Sequence, residues 1–222
     1  MRTLGIAVIG QAPRDDIVAL FAAQAPTGTR VILRGCHDGL DDAALDALPP
    51  VDGADTLYTR LPSGRDAKLS KKSVIARAPA TLAALRADGA DALVFACTGD
   101  FPPLPGDAGV LFPSRVLSGL ADGLLPKGRL GILIPLAEQA AKLSAKWMRP
   151  GVEVFAEALA PSATEAEARE AALRLARHEP DLVAMDCMSY TPAMKAVVRD
   201  VLRVPTLLGI TATAGVLREL LE

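Results

Sequence analysis

Cys97 in "VFACTGDF" and Cys187 in "VAMDCMSY" each end an apolar run and each lead into polar residues. The stretches 90–101 and 180–191 align, with Asp91 over Asp181 and Cys97 over Cys187. Two thiols that flank one carbon from opposite sides can exchange its proton. One acts as thiolate base and the other as thiol acid, and the roles swap for the reverse reaction. The chemistry needs no cofactor and no metal, but it needs unequal protonation. A free thiol titrates near ~8.5, so one of the pair must be shifted down by a helix N-terminus or a nearby cation. A buried cysteine that only fills the core is the competing reading for each thiol taken alone. Cys36, in "RGCHDGLDD", has no equivalent partner and is read as an incidental thiol.

Other residues at apolar-run ends suit a small anion. Arg14 follows a Gly10–Pro13 turn, where a guanidinium can grip a carboxylate through two hydrogen bonds. An arginine there opposes the dipole of the helix it opens, which favours a functional reading. Ser114 and Arg115 follow a later run, and Ser114 also suits a helix cap. Arg60, Lys71 and Lys72 form either an entry for an anionic substrate or a solvated basic face. Asp100 can orient a substrate amine, and Trp147, the only tryptophan, is read as packing.

The elements that must carry these residues alternate. Strands are predicted over 4–10, 30–35, 55–61, 91–97 and 109–114, with helices over 14–25, 41–48, 67–89 and 114–125. A second series has strands over 128–136, 152–159, 181–187 and 205–210. Its helices cover 137–147, 162–180 (opening on a serine cap), 191–203 and 211–222. Such alternation predicts an α/β protein with parallel sheets, and the internal likeness predicts a duplicated βαβ lobe. Ligands in such sheets bind beyond the carboxyl ends of the strands, where both cysteines stand.

Composition removes several function classes. The 222 residues are 50% hydrophobic and only 4% aromatic, and the net charge is −2, which argues against nucleic acid. No apolar run nears the ~18–20 residues of a membrane span, and the N-terminus reads as a strand, not a leader. Three cysteines without CxxC spacing make no disulfide framework, and His37 and His178 lie too far apart in sequence for a zinc motif. "VIGQAPRDD" has neither common nucleotide-loop pattern. A cytoplasmic protein without metal is expected.

The sequence resembles the AroM family, within the superfamily of aspartate/glutamate racemases. The resemblance rests on "IGQAPRDDI" (9–17), "FPSRVL" (112–117) and "DCMSY" (186–190), and covers nearly the whole chain. It implies two pseudo-symmetric flavodoxin-like lobes, residues 1–116 with 207–222 and residues 117–206. It further implies paired cysteines at strand ends, matching Cys97 and Cys187, an architecture that often dimerises, and no cofactor. Superfamily racemases show Cys-Asn-Thr and Cys-Thr, where this chain has Cys97-Thr98-Gly99 and Cys187-Met188-Ser189. Thr98 and Ser189 still offer hydroxyls to a substrate carboxylate, but amino-acid specificity does not carry over. The expected function is therefore a cofactor-independent racemase or isomerase of a small carboxylate. A single-cysteine isomerase or lyase and a non-catalytic anion-binding module stay open beside it.

Overall fold

A computed structural model describes residues 2–222. The chain divides into two compact units. The first runs to Pro113 and takes in Thr213–Glu222, and the second is Ser114–Ala212.

The first unit is built on β1 (Thr3–Val8), β2 (Arg30–Gly35), β5 (Ala92–Phe95) and β6 (Val110–Leu111), all parallel, in the order β2-β1-β5-β6. Every residue of β1 is buried, as expected of a parallel strand covered on both faces. Helices α1 (Asp15–Ala22), α2 (Asp42–Asp46) and α3 (Lys71–Ala87) connect the strands. The core joins Ala7 and Phe95 of the sheet to Val74, Leu82 and Leu85 of α3 and to Phe101 and Phe112. Each fully buried Leu or Phe there contributes about 1.5–3 kcal/mol.

A two-stranded antiparallel hairpin, β3 (Thr56–Arg60) with β4 (Asp66–Ser70), stands outside that sheet. This corrects the predicted helix over 67–89, which starts only at Lys71. Its start is decided by caps. The Ser70 hydroxyl accepts from the Ser73 amide at 3.3 Å, and Asp55 accepts the Lys71 amide on its carbonyl (2.7 Å) and the Lys72 amide on its carboxylate (3.0 Å). Residues before the cap pair with β3, where the Tyr58 hydroxyl donates to Asp66 at 2.6 Å.

The second unit repeats the strand order. Its strands β7 (Gly128–Ile134), β8 (Val152–Ala158), β9 (Leu182–Met185) and β10 (Thr206–Leu208) lie parallel as β8-β7-β9-β10. Its helices are α4 (Pro113–Leu124), α5 (Ala140–Trp147) after a 3-10 turn at Ala137–Gln139, α6 (Glu165–Ala176), α7 (Pro192–Leu202) and α8 (Gly209–Leu221), the last ending in the first unit. Leu117, Leu130, Ile132, Trp147 and Ala184 sit in its core. Two predicted caps move. Helix α4 already begins at Pro113, whose fixed φ suits a first helical position, so Ser114 lies inside the first turn. Helix α6 is capped by Thr164, not a serine: its hydroxyl accepts the Glu167 amide, while the Glu167 carboxylate accepts the Thr164 amide at 2.7 Å.

The duplication extends to single hydrogen bonds. Asp91 accepts the Thr3 amide at 2.7 Å, and its own amide donates to the Thr3 carbonyl at 2.9 Å. Asp181 does the same with Arg129, at 2.8 Å for both bonds. Among the described residues no helix is long and apolar enough to cross a membrane.

Candidate functional site

In a sheet ordered second-first-third, the connections leave the first and third strands in opposite directions, and the gap they open at the carboxyl end is the usual ligand site. In the first unit this is the gap between the tips of β1 and β5, which are hydrogen-bonded neighbours as far as Ala7 and Phe95. Arg14 lies in the loop after β1 and Cys97 in the loop after β5.

The β1 loop is tightly held. Gln11 donates to the carbonyls of Leu40 (2.5 Å) and His37 (3.2 Å), and the Ala12 amide donates to Asp38 at 2.8 Å. Gly35 is required below it, because a Cβ there would stand 2.6 Å from the Gln11 Cα and closer still to the Gly10 carbonyl. Arg14 is 5% exposed. Its Nε and Nη2 donate to the two carboxylate oxygens of Asp16 at 2.9 and 2.8 Å, and its Nη1 donates to the Arg60 carbonyl at 3.2 Å. The hydrogen bond from Arg14 holds the Asp16 carboxyl below its usual range. A carboxylate does occupy the Arg14 fork, and it belongs to this chain.

At the β5 tip, the Ala96 amide extends the ladder to the Ala7 carbonyl at 2.7 Å. Cys97 follows, nearly buried, and its Sγ accepts the Gly99 amide at 3.3 Å. Thr98 is buried and Asp100 exposed. Gly99 sits tightly: a Cβ there would stand 3.0 Å from Leu57 of the hairpin, 3.1 Å from the Phe101 ring and 3.3 Å from the Cys97 sulfur. Phe101 stacks edge-to-face on Phe95, centroids 5.0 Å apart.

The second unit repeats this tip. The Asp186 amide donates to the Leu133 carbonyl of β7 at 2.9 Å, and the Cys187 sulfur accepts the Ser189 amide at 3.5 Å. Each thiol thus takes a backbone N–H from two residues on. Tyr190, fully buried, donates its hydroxyl to the Leu159 carbonyl at 2.6 Å, and Thr191 caps α7. Ser114, buried, and Arg115, exposed, belong to this unit as well.

One feature of the second tip has no counterpart in the first. Asp186 stands where the first unit has Ala96, and its side chain is inaccessible to solvent. Both its oxygens accept from Lys146 Nζ, at 3.0 and 2.9 Å, and one also accepts from Trp147 Nε1 at 2.8 Å. Lys146 itself is only 10% exposed. Sequence reasoning passed over this cluster. Its signal was an aspartate inside the apolar run "LVAMDC".

The remaining thiol and the histidine beside it are structural. Burial pushes the Cys36 thiol up to about 12, so it stays protonated and unreactive at neutral pH. His37 is fully buried. Its Nδ1 donates to the Ile9 carbonyl at 2.7 Å, which leaves Nε2 to accept from the Ser73 hydroxyl at 2.8 Å in the neutral tautomer. Burial pushes its pKa below the ordinary 6.5. As pH falls through that value the unfolded chain takes up a proton that the folded chain refuses, so stability drops on the acid side. His37→Asn is expected to remove this part of the slope, up to about 1.4 kcal/mol per pH unit below pH ~6.5. Urea unfolding at pH 7.5 and 5.5 checks it, and equal pH dependence in both proteins would refute it. Among the described residues no three His, Cys, Asp or Glu side chains gather as a metal site.

The AroM protein family model matches residues 4–221. No curated protein matches the chain in sequence. Solved structures do match in fold. Maleate isomerase from Pseudomonas putida is similar at a TM-score of 0.65 and 14% identity, over 100% of this chain and 92% of that one. Glutamate racemase from Francisella tularensis is similar at 0.59 and 17%, over 99% and 81%. Unliganded arylmalonate decarboxylase is similar at 0.58 and 14%, over 99% and 91%. At these identities the likeness establishes the fold: two lobes of parallel α/β structure with the racemase architecture.

Proposed function

The chain belongs to the AroM family, and from that premise we propose that it is a racemase or isomerase of a small carboxylate, worked by Cys97 and Cys187. The observation that carries this is the repeated tip. In each unit a thiol stands at the carboxyl end of the third strand and accepts an amide hydrogen from two residues on. A donor aimed at sulfur favours its thiolate. The proteins of similar fold act, by their names, on maleate, glutamate and arylmalonate, all carboxylates.

In the proposed reaction the carbon beside the carboxylate lies between the two sulfurs. A thiolate takes its proton, so a C–H bond breaks and an S–H bond forms, and the electron pair spreads onto the carboxylate. The opposite thiol then delivers its own proton to the other face. No electron is gained or lost, and solvent resets the two sulfurs. Thr98 serves the carboxylate in the first unit, and Ser114, Arg115 and Ser189 serve it from the second. Arg14 holds the first loop through Asp16.

The test has two arms. The protein is incubated in D₂O with each enantiomer of glutamate and aspartate, and deuterium at Cα is followed. Alkylation of each cysteine by iodoacetamide is mapped against pH by mass spectrometry. Turnover of one of these substrates, with one thiol titrating below ~8.5, is the expected result. No turnover together with two thiols that are ordinary or inert would overturn the reading and favour a binding module.

A further inference from the structure

We infer that the cation reading the substrate carboxylate beside Cys97 is Lys71, at the start of α3. The inference rests on the function just proposed and assigns a residue to its binding step.

An anion next to Cys97 needs a positive partner that is not already neutralised. Most cations of the first unit near the two loops are committed. Arg14 is bidentate on Asp16, Arg60 donates through Nε to Asp66 at 3.1 Å, and Arg65 lies on Asp42 and Asp46. Lys72 is exposed. Lys71 differs from all of these. It is half-buried, and among the described residues it has no carboxylate partner. Its ammonium instead stands 5.6 Å from the centroid of the Phe101 ring. A salt bridge cancels a charge, whereas an aromatic face holds the cation in place and leaves its charge available.

Phe101 places that charge at the tip carrying Cys97. Its ring packs against Gly99, whose amide serves the Cys97 sulfur, and it is pinned from the sheet side by Phe95. The hairpin preceding Lys71 closes on the same glycine through Leu57. Lys71 also occupies the first position of a 17-residue helix, the end where the helix dipole disfavours a cation and favours an anion. Asp55 and Ser70 already serve that helix end, so an arriving carboxylate is drawn by the lysine. The ligand class is therefore a small carboxylate whose charged end lies towards Phe101.

The test uses two alkylating reagents of like size, anionic iodoacetate and neutral iodoacetamide, and reads the rate at Cys97 by mass spectrometry of the intact protein's digest. One unit charge within a nanometre or so of the thiol predicts that Lys71→Met lowers the iodoacetate-to-iodoacetamide rate ratio about three- to tenfold. The iodoacetamide rate should stay within about twofold, and Lys71→Arg should keep the ratio near that of the unaltered protein. An unchanged ratio in Lys71→Met overturns the assignment. So does an equal fall in both rates, which would show that Lys71 acts on the thiol or the fold. If Cys97 reacts with neither reagent, no anion is being read there and the assignment also fails. Deuterium exchange measured on the same samples separates the cases: exchange that persists with an unchanged ratio leaves the two-thiol reaction standing without Lys71.

Discussion

Lys146→Met is expected to destabilise the protein by about 3–5 kcal/mol, because it leaves the Asp186 carboxylate buried without its cation. Asp186 is inaccessible to solvent, and the neutral indole N–H of Trp147 does not replace the charge of the lysine. For a chain of this length the loss corresponds to a fall in Tm of roughly 6–20 °C. Trp147 makes the measurement local: it is the only tryptophan and hydrogen-bonds to Asp186, so its fluorescence follows the second unit directly. The double variant Lys146→Met with Asp186→Leu removes both charges at once. It should recover about half or more of the loss, as expected for groups that act as a pair. A Lys146→Met protein that melts within a degree or two of the unaltered one would show that this pair stabilises nothing.

The second large effect concerns turnover. Cys97→Ala and Cys187→Ala are each expected to lower the exchange rate by about 10²–10⁴, the usual worth of a positioned acid or base. The double variant should be no slower than the slower single one, because either loss already breaks the proton path. Initial rates of deuterium incorporation, on the substrate identified in D₂O, measure all three. Multiplying losses in the double variant would mean that the thiols act independently. Full activity in Cys97→Ala, with loss in Cys187→Ala, would confine the chemistry to one thiol. Cys36→Ser serves as a control, since a thiol held protonated by burial should be dispensable for turnover.

The duplication was legible because it leaves a mark on residue types as well as on hydropathy. Asp91 and Asp181, then Cys97 and Cys187, recur at one spacing, and their hydrogen bonds recur with them. Strand β2 lies where the apolar pattern places it, at 30–35. The hairpin strand β4 was not legible. Ala67, Lys68 and Leu69 are good helix formers, and what makes them a strand is pairing with β3, which no local pattern announces. The true helix start depends on Asp55, sixteen residues upstream of Lys71. Arg14 was legible as a special arginine, but its partner two residues on was hidden, since that spacing does not share a helix face. Lys146 and Asp186 lie forty residues apart, so only the fold could join them.

The reciprocal bonds of Asp91 with Thr3 and of Asp181 with Arg129 also act as rulers. Each anchors one end of a strand to its neighbour, and six residues later, about 20 Å along, the chain delivers a sulfur. The height of each thiol above its sheet is thus a matter of counting. Since side chains alternate between faces, one residue added to or removed from 92–96 or 182–186 would turn the cysteine to the wrong side while leaving the anchor intact. The equal count in both halves sets two tips with different sequences, CTG and CMS, the same number of residues beyond the anchor of their own sheet.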